Sequence, residues 1–442
     1  MLLLTIITLA LLCIIAYILF RDVLSPTFIS CAMFAFTSFI SYLNNNNWGV
    51  QYGIKLYVLV IVSMICLLVG ELIGRYVVLS KKEREHEIIH RRIEIPGAKN
   101  LLLIIIGIIF IILSIKNTVE LALSAGYTGG YQILKYARWA SHSETISHAK
   151  LLTFYKYFII GVGYIYIYIL INNIIFGGGW NKKDVKYLPV IFIFLGEIIL
   201  STSRADIILI TQMVIFMYII AWRIKNKWRI YPIGKFIFWG SISVVVFFAI
   251  FQYLGKFTGK TGIYSAWETF SIYAGSPIAA FSRWLETAAS RNRKFGKETF
   301  WGLISLLNRF GFGIESVSLT KEFVVFNDGS ETNIYTSLRH YYHDFGALGL
   351  FIIYLIKGIL MTKFYIYIKK NNKFDLSVIL YSYFAYDYIR QITAAEFLSM
   401  YFSISHMFTV LGIIVANKLI IPKRYYKVRN DINERSLKVD FN

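Results

Sequence analysis

Residues 333–346 read Asn-Ile-Tyr-Thr-Ser-Leu-Arg-His-Tyr-Tyr-His-Asp-Phe-Gly and run directly into a hydrophobic span. Polar side chains are costly at a bilayer boundary, and a cluster of them there usually marks function. If 336–345 is helical, Thr336, Arg339, His340 and His343 share one face by i, i+3, i+4 and i+7 spacing. Asp344 then lies four residues after His340 and can orient its ring, while Arg339 lies four before His343. Such a set suits one kind of chemistry. His340 or His343 takes a proton from an attacking group, beside an anion that Arg339 holds. A metal site from His340, His343 and Asp344 matches no zinc spacing. Plainer readings fit the same residues: tyrosines and histidines anchor helices at interfaces, and Asn333 or Thr336 can cap a helix start.

Three more arginines stand in or beside segments of the same side: Arg204, Arg283 and Arg390. Arginine grips phosphate with a planar fork and keeps its charge. Arg204 sits in Ser201-Thr202-Ser203-Arg204-Ala205-Asp206, a very short turn between hydrophobic helices, where pairing with Asp206 or snorkelling would also explain it. Arg390 has Asp387 and Glu396 nearby as ion-pair partners, and Arg283, among Pro277, Trp284 and Glu286, reads equally well as a loop charge. Glu71, Lys156, Glu197, Lys357 and Asp387 fall inside apolar spans, mostly near their ends, where helix pairing is the default.

The elements that position these residues are membrane helices. Of 442 residues, 57% are hydrophobic, against about 45–50% in soluble domains. The net charge of +21 does not form one patch, so a nucleic-acid partner is excluded; the basic residues recur in short clusters between apolar runs. Cys13, Cys31 and Cys66 all lie within apolar spans and read as small buried hydrophobes. The first span, without a basic leader or cleavage site, reads as a retained helix. A crossing needs about 20 apolar residues. On that rule the sequence predicts eleven spans: 2–20, 26–43, 54–79, 101–115, 153–176, 187–202, 206–222, 236–255, 347–368, 375–393 and 398–421.

Basic segments 80–99, 177–186, 223–235, 369–374 and the tail after Pro422 alternate with 44–53, 116–150, 201–205, 256–346 and 394–397. The short members of that second set carry almost no positive charge but Arg204, and long loops are exempt from the count. The positive-inside rule puts the basic set in the cytoplasm and the N-terminus outside. The whole chain, 1–442, reads as a single integral membrane domain, and its large outer loop is 256–346. That loop holds Tyr264, Trp267, Phe270, Tyr273, Phe281, Trp284, Phe300, Trp301, Phe310 and Phe312, too many aromatics for a solvated tether. Runs 278–289 and 300–310 have apolar residues at helical spacing, which predicts short amphipathic helices lying on the outer face and capping a cavity.

The chain resembles the oligosaccharide repeat-unit polymerases, the Wzy-type O-antigen polymerases of bacterial surface-polysaccharide clusters. The resemblance rests on 333–339, then Tyr341-Tyr342, Asp344-Phe345-Gly346 and Gly349, with Ser203-Arg204 in the mid-chain turn. It is specific over about 20 residues and architectural elsewhere: ten to twelve helices with one large late outer loop. It implies an all-α, polytopic, GT-C-like fold of the bacterial inner membrane with an active site facing the periplasm. It implies a glycosyltransferase without metal or cofactor, acting on undecaprenyl-pyrophosphate-linked glycan to build lipopolysaccharide O-antigen or capsule. A chain-length regulator is the protein partner it suggests.

On this expectation Arg339 and Arg204 bind pyrophosphate, with Arg283 and Arg390 assisting and Tyr335 and Tyr341 contributing to the glycan-binding face. His340 or His343 is the base, oriented by Asp344. Two rivals share parts of the pattern: an O-antigen ligase, with the same donor and another acceptor, and a lipid-linked oligosaccharide flippase. A flippase would have short loops and charges within its helices, and loop 256–346 argues against it.

Overall fold

The computed structural model describes residues 1–79, 88–130, 132–142, 150–242, 245, 265–287, 295–318, 320–422 and 426–428. Apolar runs too long for a soluble helix produce α1 (Leu2–Phe20), α2 (Pro26–Leu43) and, after the single turn α3 (Asn45–Trp48), α4 (Ile54–Leu79). The chain continues through α5 (Gly97–Ser124), α6 (Ile133–His142), α7 (Lys150–Phe176), α8 (Leu188–Leu200), α9 (Arg204–Lys225) and α10 (Ile233–Ile242). In the large loop lie α11 (Ala266–Ala274), α12 (Ser276–Thr287) and α13 (Trp301–Arg309). The chain then forms α14 (Ser337–Asn371), α15 (Leu376–Phe384), α16 (Asp387–Arg390) and α17 (Ile404–Ile420). Two small antiparallel pairs join β1 (Ile88–His90) to β4 (Tyr426–Val428) and β2 (Val324–Val325) to β3 (Glu331–Thr332).

Among the described residues, seven helices are long and apolar enough to cross a membrane: α1, α2, α4, α5, α7, α9 and α14. The protein is an all-α membrane protein. α8, α10 and α17 are apolar but shorter. The expected span 375–393 is not one helix: α15 stops at Phe384, α16 is a single turn, and Glu396–Met400 forms a π-turn before α17 begins. The breaks fall in a stretch dense in buried polar side chains (Asp387, Gln391, Glu396, Ser399), which irregular backbone tolerates only when enclosed by protein. The expectations for Tyr264, for the end of the 278–289 run, and for most of 80–87, 246–255 and the tail lie outside the described residues.

Small residues set the closest helix crossings. A Cβ on Gly70 of α4 would sit 2.2 Å from the Leu355 carbonyl oxygen, and one on Gly161 of α7 would sit 2.3 Å from the Gly412 carbonyl carbon. Without a hydrophobic drive between helices in lipid, such close backbone approach is how they associate. At the basic-segment end, Glu71 Oε2 accepts from Ser25 Oγ at 2.8 Å and from the Thr27 amide at 3.0 Å, closing the start of α2. Its other oxygen pairs with Arg75. Arg223 there pairs with Asp22 and donates to the Tyr365 hydroxyl at 2.7 Å.

The helical expectation for the large loop agrees with α12 and α13, but the placement of α12 differs. From Ser276 to Leu285 all residues but Arg283 are buried, and Gly275 packs on Ile40 and Ser41 of α2. α12 is enclosed by protein rather than laid flat on its face, because Ile278, Phe281 and Trp284 join the main core while Ala279 packs with Trp48, Val50 and Phe326 in a second cluster.

α14 is two arms. Gly346 has φ 68° and ψ −165°, a combination open almost only to glycine, and the chain folds back there. The arm 337–345 then lies against the arm 347–371, with the Tyr341 and Tyr354 rings 6.3 Å apart. The short arm therefore belongs to the loop end and is not itself a crossing.

Candidate functional site

The short arm of α14 presents Arg339, His343 and Asp344 to the loop segment 298–299. The Arg339 guanidinium, 2% exposed, donates Nη1 to Glu298 Oε2 and Nη2 to both oxygens of Glu322 at 3.2 Å. Its central carbon lies over two aromatic rings, 5.1 Å from the Trp284 ring centre and 5.0 Å from that of Tyr335. Lys321 Nζ reaches Glu298 Oε2 at 3.1 Å. His343 Nδ1 lies 3.3 Å from Asp344 Oδ1 and 3.4 Å from Glu298 Oε1. Asp344 Oδ2 accepts from the Thr299 amide at 2.7 Å, so segment 298–299 clamps the arm from both carboxylates. The Ser399 hydroxyl donates to the Glu298 carbonyl at 3.2 Å, which ties the clamp to the π-turn.

Both carboxylates can only accept, so His343 Nδ1 carries the proton and Nε2 the lone pair. This corrects the expected partnering: Asp344 orients His343 rather than His340. Adjacent residues meet here, with the second Asp344 oxygen held by the Thr299 amide. His340 Nδ1 faces the Thr336 carbonyl at 3.3 Å.

The charges are tuned by enclosure and by each other. Burial alone would raise the Glu298 carboxyl, but His340, Arg339, Lys321 and His343 around it outweigh that and hold it down at about 2. Burial draws the Lys321 ammonium below its ordinary value, with Glu298 pulling the other way and Arg339 adding to the decrease. Burial pushes His340, on the short arm ahead of the fold-back, down to about 4, against the pull of Glu298. His340 is therefore a weak base held neutral, whereas His343 Nδ1 faces two carboxylates.

The remaining expected residues are in other places. Tyr335, 1% exposed, donates its hydroxyl to the Glu322 carbonyl at 3.0 Å and lies against Arg339. Tyr341 is fully buried in the fold-back against Tyr354. Arg283 donates to the Gly49 carbonyl at 3.1 Å and to Asn327 Oδ1 at 3.2 Å, tethering the large loop to the α3 turn. Arg204, first residue of α9, lies with its guanidinium 5.6 Å from the Tyr273 ring centre. Arg390 Nε pairs with Glu396 Oε1 at 3.2 Å and its Nη1 donates to Thr393 at 2.9 Å. Glu396 in turn lies 3.8 Å from His406 Nε2, and Tyr383 bonds the other ring nitrogen.

Glu298, Lys321, Glu322 and Trp284 are the partners that sequence reasoning does not reach. No spacing joins Glu298 to Arg339 across 41 residues; the only local signal is the adjacency of opposite charges in Lys297-Glu298 and Lys321-Glu322. Among the described residues no group of three His, Cys, Asp or Glu is placed to hold a metal ion. No family model, curated protein or solved structure matches this chain. The functional reading therefore stands on the residues themselves.

Proposed function

We propose that this membrane protein is a glycosyltransferase that joins lipid-linked oligosaccharide repeats into a surface polysaccharide, with a polyprenyl diphosphate as the leaving group. The observation that carries the proposal is the Asp344–His343 pair beside the Arg339 guanidinium, held on a folded-back helical arm at a membrane boundary. In the proposed step, His343 Nε2 takes the proton from an acceptor sugar hydroxyl. The hydroxyl oxygen bonds to the anomeric carbon of the donor, the bond from that carbon to the diphosphate oxygen breaks, and the electron pair leaves on the diphosphate. Fixed positive charge stabilises that leaving group without a metal, and Arg339 supplies it, with Arg204 and Arg390 as further cations. Asp344 keeps the imidazole in the tautomer that accepts at Nε2. The aromatic loop contributes ring faces for the sugars. The bacterial inner membrane, the periplasmic side and the O-antigen or capsule product belong to the same proposal.

The test is a polymer ladder. Cells carrying Arg339→Ala should make single-repeat glycan and no long chains while the protein still inserts into the membrane. Normal chain lengths in that variant would reject the assignment.

One observation favours a second reading, a lipid-linked oligosaccharide flippase: Lys357 and Asp387 form a buried ion pair, 2.5 Å apart, between α14 and the broken segment. Ionised groups enclosed among membrane helices often belong to transport pathways. Purified protein that lengthens lipid-linked repeats in detergent, with no second compartment, would exclude it.

A further inference from the structure

Arg339 is held unequally on its two sides. Nη1 faces Glu298, whose side chain is 7% exposed, while Nη2 faces Glu322, whose side chain is 36% exposed. The inner carboxylate is shared with Lys321 and His343 and cannot leave without stranding several buried groups. The outer one ends at solvent and meets a single guanidinium nitrogen with both oxygens at 3.2 Å. The carboxylate thus meets Arg339 without the two-nitrogen fork that a phosphate can form with a guanidinium.

We infer that Glu322 is a placeholder for the substrate's diphosphate: its carboxylate occupies the outward nitrogen of Arg339 and is displaced when a diphosphate binds there. This rests on the proposed function for the site and adds a competitive internal anion to it. Glu298 stays in place as a positioning residue, holding the guanidinium over the Trp284 and Tyr335 rings. Displacing Glu322 leaves Arg339 paired with Glu298, and the Glu322 carboxylate moves from a part-exposed position to solvent. The backbone at Glu322 remains anchored through the Tyr335 hydroxyl, so only the side chain has to swing.

Removing the competitor should therefore improve binding. The full-length protein, in detergent, is titrated calorimetrically with farnesyl diphosphate and, separately, with inorganic pyrophosphate. For Glu322→Gln we expect farnesyl diphosphate to bind roughly two- to five-fold tighter than to wild type, the range that such a pair allows. Glu322→Asp, which retains the charge, should fall between glutamine and wild type. Glu298→Gln should weaken binding instead. Tightening toward farnesyl diphosphate alone identifies a lipid-linked diphosphate, and equal tightening toward both probes identifies the free anion; either supports the placeholder. Unchanged or weaker binding in Glu322→Gln, with wild type binding and polymerising normally, overturns the placeholder and leaves the function standing. Wild-type protein that polymerises no lipid-linked repeat and binds neither probe overturns both. Size-exclusion profiles of each variant check that the fold is retained.

Discussion

The Ser337 and Tyr354 hydroxyls are 2.9 Å apart although 17 residues separate them. On a straight helix that separation spans about 25 Å at 1.5 Å per residue. The fold-back at Gly346 closes that gap, and it brings the polar arm beside the broken segment. The Ser337 amide donates to the Gln391 carbonyl at 2.8 Å, and Lys357 and Tyr354 reach the Gln391 side chain at 2.7 and 3.3 Å. Arm, long helix and break are thus one unit, and Arg339, His343 and Asp344 are aimed by it.

Gly346→Ala should be costly for this reason. A side chain at φ 68° and ψ −165° is strained by about 1–3 kcal/mol, and relief of that strain would move the arm. We expect a lower melting temperature and loss of polymer. Gly53→Ala, where a Cβ meets nothing within 4 Å, is the control and should melt like wild type. Equal melting of the two variants would refute the strained turn.

Glu298 gives the stability a defined acid dependence. Its carboxyl is held at about 2 in the folded protein against an ordinary 4.5, so the unfolded chain binds the proton first as pH falls. The stabilisation is complete above about pH 4.5 and is lost progressively as pH falls toward 2; a shift of this size is worth on the order of 3 kcal/mol. Thermal melts of wild type should therefore drop more steeply between pH 5 and pH 2 than those of Glu298→Gln. Because Gln leaves Arg339 and Lys321 short of their shared carboxylate, that variant should also start lower at pH 7, by about 3–5 kcal/mol.

Much of this was legible in the sequence, and for physical reasons. Long apolar runs report a crossing whatever their neighbours are, so α1, α2, α4, α5, α7, α9 and the long arm of α14 each overlap a span that hydropathy draws, although α5 runs past both ends of 101–115. The spacing in 300–310 reports the helix that becomes α13. The break in 375–393 does not appear, because a hydropathy count sees Tyr381, Tyr383, Tyr386 and Tyr388 but not the hydrogen bonds that replace a helix there. The Asp387 carboxylate, for instance, accepts from the Phe397 amide at 3.2 Å. The candidate site was half visible. Arg339, His343 and Asp344 stand in one short stretch, while Glu298 and Glu322 reach them only through tertiary folding, and Asp344, held by the Thr299 amide, meets a different histidine from the one helical spacing selects.

The Lys357–Asp387 pair should behave as a buried ion pair does. Its side chains are 1% and 3% exposed, so removing one partner leaves an uncompensated charge at about 3–5 kcal/mol. Lys357→Met and Asp387→Leu should each lower thermal stability sharply, and the double variant should recover much of the loss. A double variant as unstable as the sum of the singles would mean that the two groups do not interact.

The two histidines should separate in activity. His343 has two carboxylates at Nδ1 and stands beside Arg339, whereas His340 faces a backbone carbonyl and is held neutral down to about pH 4. Losing a general base typically costs about 10²–10⁴ in rate. His343→Gln should therefore reduce polymer formation by that order while the protein still inserts into the membrane. His340→Gln should retain most activity. Asp344→Asn should fall near His343→Gln in rate, since an asparagine can still meet Thr299 yet no longer fixes the imidazole tautomer. A rate loss centred on His340, measured with purified protein and lipid-linked repeats, would move the base to the other ring and remove Asp344 from its positioning role.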